Sequence, residues 1–231
     1  MSEVINVRNL SKEFGNKNTK VIAVKDVSMT IREGEVLMIL GPSGSGKTTL
    51  LSMIGAILTP TSGEIFIDGQ KISDLPDKEL PNLRKKKIGF VFQSFNLLKS
   101  LTVQENVEAA LNLNGTRGRE AKAKAIELLT QVGLGERLNF YPADLSGGEK
   151  QRVSIARAIA NDPKIILADE PTGNLDSKTG QKIGSLLKEL AKNSKKSIII
   201  VTHDNRIENL ADRIIHFEDG TIKSEIACGG D

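Results

Sequence analysis

The sequence predicts an α/β fold built on a parallel sheet. Short runs rich in β-branched residues alternate along the chain with segments of helical periodicity, which is the pattern of strands joined by crossover helices. The predicted buried strands span residues 36–40, 88–92, 165–168, 198–202 and 214–217. Two regions depart from this alternation, and they predict an antiparallel β lobe and a helical insert attached to the α/β core.

Three segments between the strands carry apolar residues at positions i, i+3, i+4 and i+7, the spacing of one helix face. These residues are Leu50, Met53, Ile54 and Ile57 in the first segment, Ala125, Leu128, Leu129 and Val132 in the second, and Ile183, Leu186, Leu187 and Leu190 in the third. The first segment predicts a helix over residues 48–58. Gly133 is placed to end the second helix, and Asp176 is placed to cap the start of the third.

The two departures set the expected domain organisation. The first 35 residues and residues 64–69 predict strands near turns with no helix between them, while residues 94–160 predict an almost wholly helical segment. We therefore expect one domain over residues 1–231. Its α/β core, with the β lobe, is expected over 1–93 and 161–231, and its helical subdomain over 94–160.

Composition excludes several classes of protein. With 39% hydrophobic and 26% charged residues among 231, the chain is typical of folded, soluble proteins. Cys228 is the single cysteine, which rules out an internal disulfide and a cysteine zinc site. A net charge of +3 and 3% aromatic residues predict no nucleic-acid partner. No apolar run approaches the roughly twenty residues of a membrane-spanning helix, so we expect a cytosolic location or one at the cytosolic face of a membrane.

The segment GPSGSGKT, residues 41–48, follows a predicted strand and opens a predicted helix. It matches the phosphate-loop pattern G-x-x-x-x-G-K-[ST] in the context that the pattern requires. Glycines let the backbone N–H groups approach phosphate oxygens, Lys47 reaches the β and γ phosphates, and the Thr48 hydroxyl can ligate Mg²⁺. The predicted nucleotide contacts in this segment are Gly41, Pro42, Ser43, Gly44, Ser45, Gly46, Lys47, Thr48 and Thr49.

Two adjacent carboxylates follow another predicted strand. Residues 165–171 read IILADEP, which places Asp169 and Glu170 at the carboxyl end of the strand, where α/β sheets bind ligands. Asp169 is predicted to hold Mg²⁺ through water, and Glu170 to polarise the attacking water. A strand followed by an acidic turn is the alternative interpretation, and the phosphate loop favours the functional one.

Residues 145–149 read LSGGE and precede KQRVSIARAIANDP. Ser146, Gly147 and Gly148 are placed to open a helix, whose N-terminus is a second anion site. Taken in order, these motifs resemble those of the ATP-binding cassette (ABC) ATPases. The resemblance implies a RecA-like P-loop NTPase core with an antiparallel β lobe and a helical subdomain. It also implies ATP and Mg²⁺ as cofactors, ATP hydrolysis, and a homodimer in which the phosphate loop of one chain faces the signature of the other.

The remaining cassette motifs follow from the same resemblance. Gln93 resembles the Q-loop glutamine that meets Mg²⁺, Asp176 closes a GNLD segment that resembles the D-loop, and His203 resembles the switch histidine that contacts the γ phosphate. Phe14 resembles the adenine-stacking aromatic residue, which is usually tyrosine, and its alternative is a core position in the β lobe. The implied catalytic residues are Lys47, Glu170 and His203.

The resemblance extends from about Val4 to Ile226, and its finer features concern the branch of the family. PADLSGGEKQRVSIARA and ADEPTGNLD resemble the mechanotransmission branch, which includes macrolide-export and lipoprotein-releasing ATPases, and VTHDNR with ADRII is most similar to haem- and glycolipid-exporter ATPases. This implies a peripheral subunit at the cytoplasmic face of the cell membrane. It would power a permease that exports a hydrophobic or amphipathic molecule such as haem, lipid or drug.

Two other functions stay open beside export. One is a cassette of the cell-division type, in which ATP cycling transmits a signal without transport; the other is an ATPase outside any membrane complex. The apolar residues Phe95, Leu97, Leu98 and Leu101 after Gln93 predict either the core of the insert or a groove for a short permease helix. The basic run 84–87 predicts a solvated turn, with contact to acidic lipid headgroups as the alternative.

Overall fold

The computed structural model describes residues 2–16 and 19–228, so Met1, residues 17–18 and residues 229–231 of the predicted domain lie outside it. The strands in the described part are β1 (Glu3–Phe14), β2 (Val21–Arg32), β3 (Val36–Leu40), β4 (Ser62–Ile67), β5 (Gln70–Lys71), β6 (Ile88–Phe92), β7 (Ile165–Asp169), β8 (Ser197–Thr202), β9 (Arg213–Glu218) and β10 (Thr221–Ala227). The α-helices are α1 (Lys47–Ile54), α2 (Leu80–Lys87), α3 (Val103–Leu113), α4 (Gly118–Gln131), α5 (Gly147–Ile159) and α6 (Ser177–Ser194). Short 3-10 helices span Pro142–Asp144 and Asn205–Leu210.

The larger sheet has the strand order β10-β9-β3-β8-β7-β6. Strands β9, β3, β8, β7 and β6 pair in parallel, which confirms the predicted parallel sheet, and β10 adds an antiparallel edge strand that the sequence pattern did not predict. Leu40 lies opposite Thr202, and Asp169 lies opposite both Phe92 and Val201. The carboxyl ends of four neighbouring strands are therefore level.

The smaller sheet is antiparallel, with the order β2-β1-β4-β5, and it confirms the predicted flap. The predicted strand 64–69 ends earlier, at Ile67. Asp68 has a φ of 49° and Gly69 a φ of 73°, so the chain turns there into β5. Left-handed backbone at two successive residues is the conformation of a tight hairpin turn.

Each face of the larger sheet carries its own apolar core, because successive side chains of a strand point to opposite faces. Met38 and Ile200 belong to the cluster that includes the apolar faces of α3, α4, α5 and α6. Leu37, Ile39 and Ile199 belong to the cluster that includes α1 and the β lobe. The sheet is thus the middle layer between the helical segment and the β lobe.

The prediction of a helix over residues 48–58 is wrong at its end. Helix α1 stops at Ile54, Gly55 follows as its C-cap, and Ala56 has a left-handed φ of 54°. A left-handed residue ends the helical hydrogen-bond ladder. Ile57, predicted on the buried face, is consequently 53% exposed.

The prediction of a solvated turn for the basic run 84–87 is also wrong, because this run forms the last turn of α2. Pro81 lies in the first turn of the helix, and four basic residues lie in the last turn, where they interact favourably with the helix dipole. Arg84 donates to the carbonyl of Ala56, and Lys87 forms an ion pair with Asp68. These contacts fix the end of the run against the β lobe and α1.

Residues 94–102 do not fit the prediction of nearly continuous helix over 94–160, since helix begins only at Val103. Asn106, fully buried on α3, organises this loop. Its amide donates to the carbonyls of Leu98, Leu101 and Thr102, and its oxygen accepts from the Leu98 N–H. In the described part of the chain, no helix is both long enough and apolar enough to cross a membrane.

Candidate functional site

A cleft of about 450 Å³ opens at the level carboxyl ends of the parallel strands. It is lined by Ala23, Ser43, Gly44, Gly46, Lys47, Thr48, Thr49, Gln93, Glu170 and His203. Ala23 comes from β2, and the others come from the loop after β3, the start of α1, and the residues that follow β6, β7 and β8. The topology therefore brings together residues that are up to 180 positions apart in the sequence, at the edge where α/β sheets bind ligands.

The loop between β3 and α1 requires glycine at two positions. At Gly46 the φ is 99°, and a Cβ atom would lie 2.0 Å from the carbonyl oxygen of Ala23. At Gly41 a Cβ atom would lie 1.9 Å from the carbonyl oxygen of Phe217. Any side chain would push the loop away from β2 and β9, so these glycines hold the start of α1 against the sheet.

Lys47 is 5% exposed at the first position of α1. Its Nζ atom donates to the carbonyl oxygens of Gly41 and Pro42, both at 2.8 Å. Burial lowers the pKa of Lys47, although Glu170 and Asp169 act in the opposite direction. A buried ammonium whose hydrogen-bond partners are neutral carbonyls is poised to exchange them for phosphate oxygens.

Asp169 and Thr48 are the predicted metal ligands, and they are in direct contact. The Thr48 hydroxyl donates to Asp169 Oδ1 at 2.9 Å. Burial is the main reason that the pKa of Asp169 is raised, and the neighbouring Glu170 raises it further. A hydroxyl beside an under-compensated carboxylate fits Mg²⁺, which takes oxygen ligands and keeps several waters. The described residues contain no cluster of three His, Cys, Asp or Glu side chains that could hold a metal alone.

Glu170 has both carboxylate oxygens engaged. Oε2 accepts from the Thr202 hydroxyl at 2.9 Å, and Oε1 lies 2.8 Å from His203 Nδ1. An ionised carboxylate only accepts hydrogen bonds, so the Nδ1–H of His203 donates to it. The backbone of Glu170 is left-handed, with φ 48°. This strained conformation aims the carboxylate into the cleft instead of along the strand.

Gln93 lines the cleft from the end of β6, and the segment after β7 holds it there. The side chain of Asn174 donates to the Gln93 carbonyl at 3.0 Å, and Gln93 Nε2 lies 3.5 Å from Asn174 Oδ1. A Cβ atom on Gly173 would come within 2.9 Å of Gln93 Nε2. Gln93 is therefore packed against residues 173–174.

The signature residues do not line this cleft. Ser146 is the N-cap of α5, where its hydroxyl accepts from the Glu149 N–H. Gly148 packs against α6, because a Cβ atom there would lie 2.4 Å from the Cγ2 of Thr179. Asp176 caps α6 by accepting from the Thr179 N–H. The signature thus lies beside the start of α6, and neither its residues nor Asp176 are among those that line the cleft.

The remaining predicted contacts also lie outside the lining of the cleft. Phe14 ends β1 with its ring 43% exposed and with Lys12 Nζ 5.2 Å from the ring centroid. Its exposure favours a stacking surface over the alternative of a core position. Gly41, Pro42, Ser45 and Asp169 are also absent from the lining, and Ser45 is buried.

Three residues of the site were not predicted. Thr202 and Asn174 contact Glu170 and Gln93 directly, and both stand inside segments whose neighbours were singled out. Arg157, on α5, donates to the carbonyls of Phe95 and Asn96, two left-handed residues with φ of 61° and 49°. Burial lowers the pKa of this guanidinium. Its only sequence signal was a basic residue on an otherwise apolar helix face.

Comparison with known proteins decides the family. Residues 24–173 match the family described as ABC transporter. The chain belongs to the ABC transporter family. It is 48% identical over 226 residues to the ABC transporter ATP-binding protein MJ0796 of Methanocaldococcus jannaschii, covering 96% of each chain. To the macrolide export ATP-binding/permease protein MacB of Brucella melitensis it is 43% identical, covering 96% of this chain and 34% of that protein.

The fold of this cassette is similar to solved structures of the same family. A dimeric structure of MJ0796 in a post-hydrolysis state, bound to ADP and Pi, superimposes with a TM-score of 0.91 at 45% identity. The alignment covers 98% of this chain and all of that one. A second dimeric structure of MJ0796 matches equally well, with 46% identity. The predicted ABC ATPase fold is confirmed.

The raised pKa of Asp169 predicts that its charge destabilises the cassette when no cation is bound. The carboxyl of Asp169 keeps its proton to a higher pH in the folded chain than in the unfolded chain. As pH rises from the pKa of the unfolded chain to that of the folded chain, the contribution of Asp169 to the free energy of unfolding therefore falls. At neutral pH in EDTA, without nucleotide, we expect Asp169→Asn to raise the melting temperature above that of the unsubstituted chain.

Asp176→Asn is the matched control for this measurement. The pKa of Asp176 is lowered by hydrogen bonds from Thr179, so its charge is stabilised by folding and its removal has no such benefit. Calorimetry of both variants compares the two carboxylates directly. A melting temperature of Asp169→Asn at or below that of the unsubstituted chain contradicts this account of Asp169.

Proposed function

We propose that this chain is the ATP-hydrolysing subunit of a membrane exporter, that it dimerises on ATP, and that its permease moves a hydrophobic or amphipathic molecule such as haem, lipid or drug. One observation carries the proposal. Lys47, Gln93, Glu170 and His203, each following a different parallel strand, line a single cleft. This is the set of groups that phosphoryl transfer to water needs: a phosphate-binding cation, a metal-facing polar group, a base and a partner that orients the base.

Binding of ATP engages the loop between β3 and α1 first. The backbone N–H groups of residues 43–49 and the N-terminus of α1 receive the phosphates, and Lys47 turns from the carbonyls of Gly41 and Pro42 to the β and γ oxygens. The exposed ring of Phe14 stacks on the adenine. When bound, Mg²⁺ would neutralise charge on the phosphate oxygens, and Thr48, Asp169 and Gln93 are the residues that would hold it.

Glu170 and His203 are the residues that promote hydrolysis. Glu170 polarises the attacking water by accepting a hydrogen bond from it, and Thr202 and His203 keep its carboxylate directed at the cleft. His203 is 2.8 Å from Glu170 and lines the same cleft, so it is placed to meet the γ phosphate from the far side. Lys47 stabilises the charge that develops on the transferred group.

A dimer explains why the signature faces away from the cleft of its own chain. Ser146, Gly147 and Gly148 open α5, whose N-terminus attracts anions, but none of them lines the cleft. In a head-to-tail pair, the signature of one chain covers the γ phosphate held by the other, with Asp176 near the junction. The structures of MJ0796 are dimeric, which supports dimerisation, and we infer a homodimer for this chain.

The permease has a suitable receptor between α2, β6, α3 and α5, beside the loop that follows α1. A groove of about 580 Å³ lies there, which we call the docking groove, and its apolar surface includes Ile57, Phe90 and Leu113. Leu113 is 75% exposed. The other side of the docking groove carries Arg84 and Arg157. Among the described residues, no Asp or Glu lines the groove. We propose that a short amphipathic permease helix binds here, and that residues 94–160 act as the helical subdomain that moves with it.

The apolar residues after Gln93 divide between two environments. Phe95 and Leu97 line a smaller pocket of about 380 Å³, together with Pro142 and Lys150, and Leu98 is exposed. None of them lines the docking groove. The sequence-based hypothesis placed the groove for a permease helix at these residues, whereas the docking groove proposed here is formed by others.

The subcellular location and the direction of transport follow from the proposed partnership. MacB, which is an export ATP-binding/permease protein by name, contains a segment similar to this whole chain. By analogy we place this subunit at the cytoplasmic face of the cell membrane, peripheral through its permease. The similarity to haem- and glycolipid-exporter ATPases is the basis for the proposed class of substrate.

Glu170→Gln tests the proposed chemistry. The amide keeps the shape of the carboxylate but accepts no proton, so hydrolysis should fall at least about a hundredfold, the lower range for loss of a general base. ATP binding should be retained, and ATP should then hold two chains together because the γ phosphate is not consumed. Light scattering after size exclusion with ATP measures the dimer, and a variant that stays monomeric at every ATP concentration contradicts the proposal.

Leu113→Glu tests the docking groove. Because Leu113 is largely exposed, the variant should fold and bind ATP like the unsubstituted chain, yet lose co-purification with its permease and the associated export. Ile226→Glu is the control, since Ile226 is half-exposed on β10 at the opposite edge of the sheet. Equal recovery of the permease with both variants would reject the groove.

A further inference from the structure

The hydroxyl of Ser146 is already bound to a carboxylate of its own chain. Ser146 Oγ donates to Glu149 Oε2 at 2.6 Å, and the Ser146 N–H donates to the same oxygen at 2.8 Å. The Glu149 N–H in turn donates to Ser146 Oγ at 3.3 Å. These hydrogen bonds from Ser146 are the main reason that the pKa of Glu149 is lowered, and Arg137, 3.3 Å away, adds to the effect. Glu149 therefore places a negative charge at the N-terminus of α5.

We propose that Glu149 competes with the γ phosphate of ATP for the signature, and so sets the concentration at which the ATP-bound dimer forms. This inference rests on the proposed function, in which the signature of one chain meets the nucleotide of the other. A hydroxyl donates one hydrogen bond, so Ser146 has to release the Glu149 carboxylate before it can donate to a phosphate oxygen. The carboxylate also repels the phosphate at the positive end of the same helix dipole.

The exchange of the Glu149 carboxylate for a phosphate oxygen at Ser146 should change the dimerisation equilibrium by a measurable amount. A hydrogen bond to a charged acceptor is among the strong ones, and its loss at each site is expected to change an equilibrium about tenfold or more. Two such sites lie in a symmetric dimer. With neutral glutamine in place of glutamate, the competition weakens while the side chain still accepts from the Ser146 N–H and preserves the helix cap.

The chain contains a matched control for this substitution. Helix α3 begins with the same arrangement, in which Thr102 caps the helix and Glu105 accepts from the Thr102 N–H at 2.8 Å and from its hydroxyl at 3.0 Å. The pKa of Glu105 is lowered by hydrogen bonds from Thr102, just as the pKa of Glu149 is lowered by hydrogen bonds from Ser146. Glu105→Gln changes the net charge and the helix cap just as Glu149→Gln does, but away from the signature.

The experiment places Glu149→Gln and Glu105→Gln separately in the Glu170→Gln chain and measures dimer formation against protein concentration at saturating MgATP. Glu149→Gln should lower the midpoint by about tenfold to a hundredfold, while Glu105→Gln should leave it within about twofold. Both variants should remain folded, and Glu149→Gln should have the slightly lower melting temperature because it also removes the ion pair with Arg137. An unchanged or higher midpoint for Glu149→Gln, in a background that does dimerise, overturns the inference and leaves the proposed function standing.

Two further outcomes are informative. If the Glu170→Gln chain fails to dimerise with ATP in every variant, the proposed function fails and the inference fails with it. If Glu149→Gln does not fold, Arg137→Gln gives a second readout, because removing the exposed cation beside Glu149 strengthens the competing charge. Its midpoint should rise, and a midpoint that is unchanged or lower overturns the inference.

Discussion

The level alignment of four parallel strand ends is the constraint on which the rest of the site depends. Because β6, β7, β8 and β3 are hydrogen-bonded neighbours in register, the residues that follow them emerge at one height over the sheet. The pairing of these strands therefore brings Gln93, Glu170, His203 and the loop that leads to Lys47 together. Both apolar cores serve this alignment, since each packs on one face of the same sheet.

The cleft holds charge and strain that only a ligand can relieve. Lys47 is buried with neutral partners, Asp169 has a raised pKa, and Glu170 has a left-handed backbone. Binding of a polyanion with a divalent cation satisfies the first two directly, by pairing opposite charges in a partly dry cleft. These groups lower the stability of the unbound chain, and the free energy recovered when the ligand binds contributes to the affinity for that ligand.

The parts that were predictable from sequence are those with a local signal. Buried strands read as short β-branched runs, and the phosphate loop and signature each carry their glycines and caps within a few residues. The end of α1 was missed because it depends on the left-handed backbone at Ala56. The helical run ending at Lys87 was missed because it is held by tertiary contacts to Ala56 and Asp68. Asn174 and Arg157 were missed because their importance lies in backbone carbonyls far away in sequence, which no pattern of residue types encodes.

The central claim is that each nucleotide site is shared between two chains, and mixing two defective chains tests it directly. Lys47→Ala removes the phosphate-binding cation, whereas Ser146→Asp keeps a good helix cap but sets a negative charge at the signature. Neither variant should hydrolyse ATP alone. Mixed in equal amounts, half of the dimers combine the two and hold one intact site, so about a quarter of the unsubstituted activity should return. Activity no greater than the sum of the separate variants would contradict a shared site.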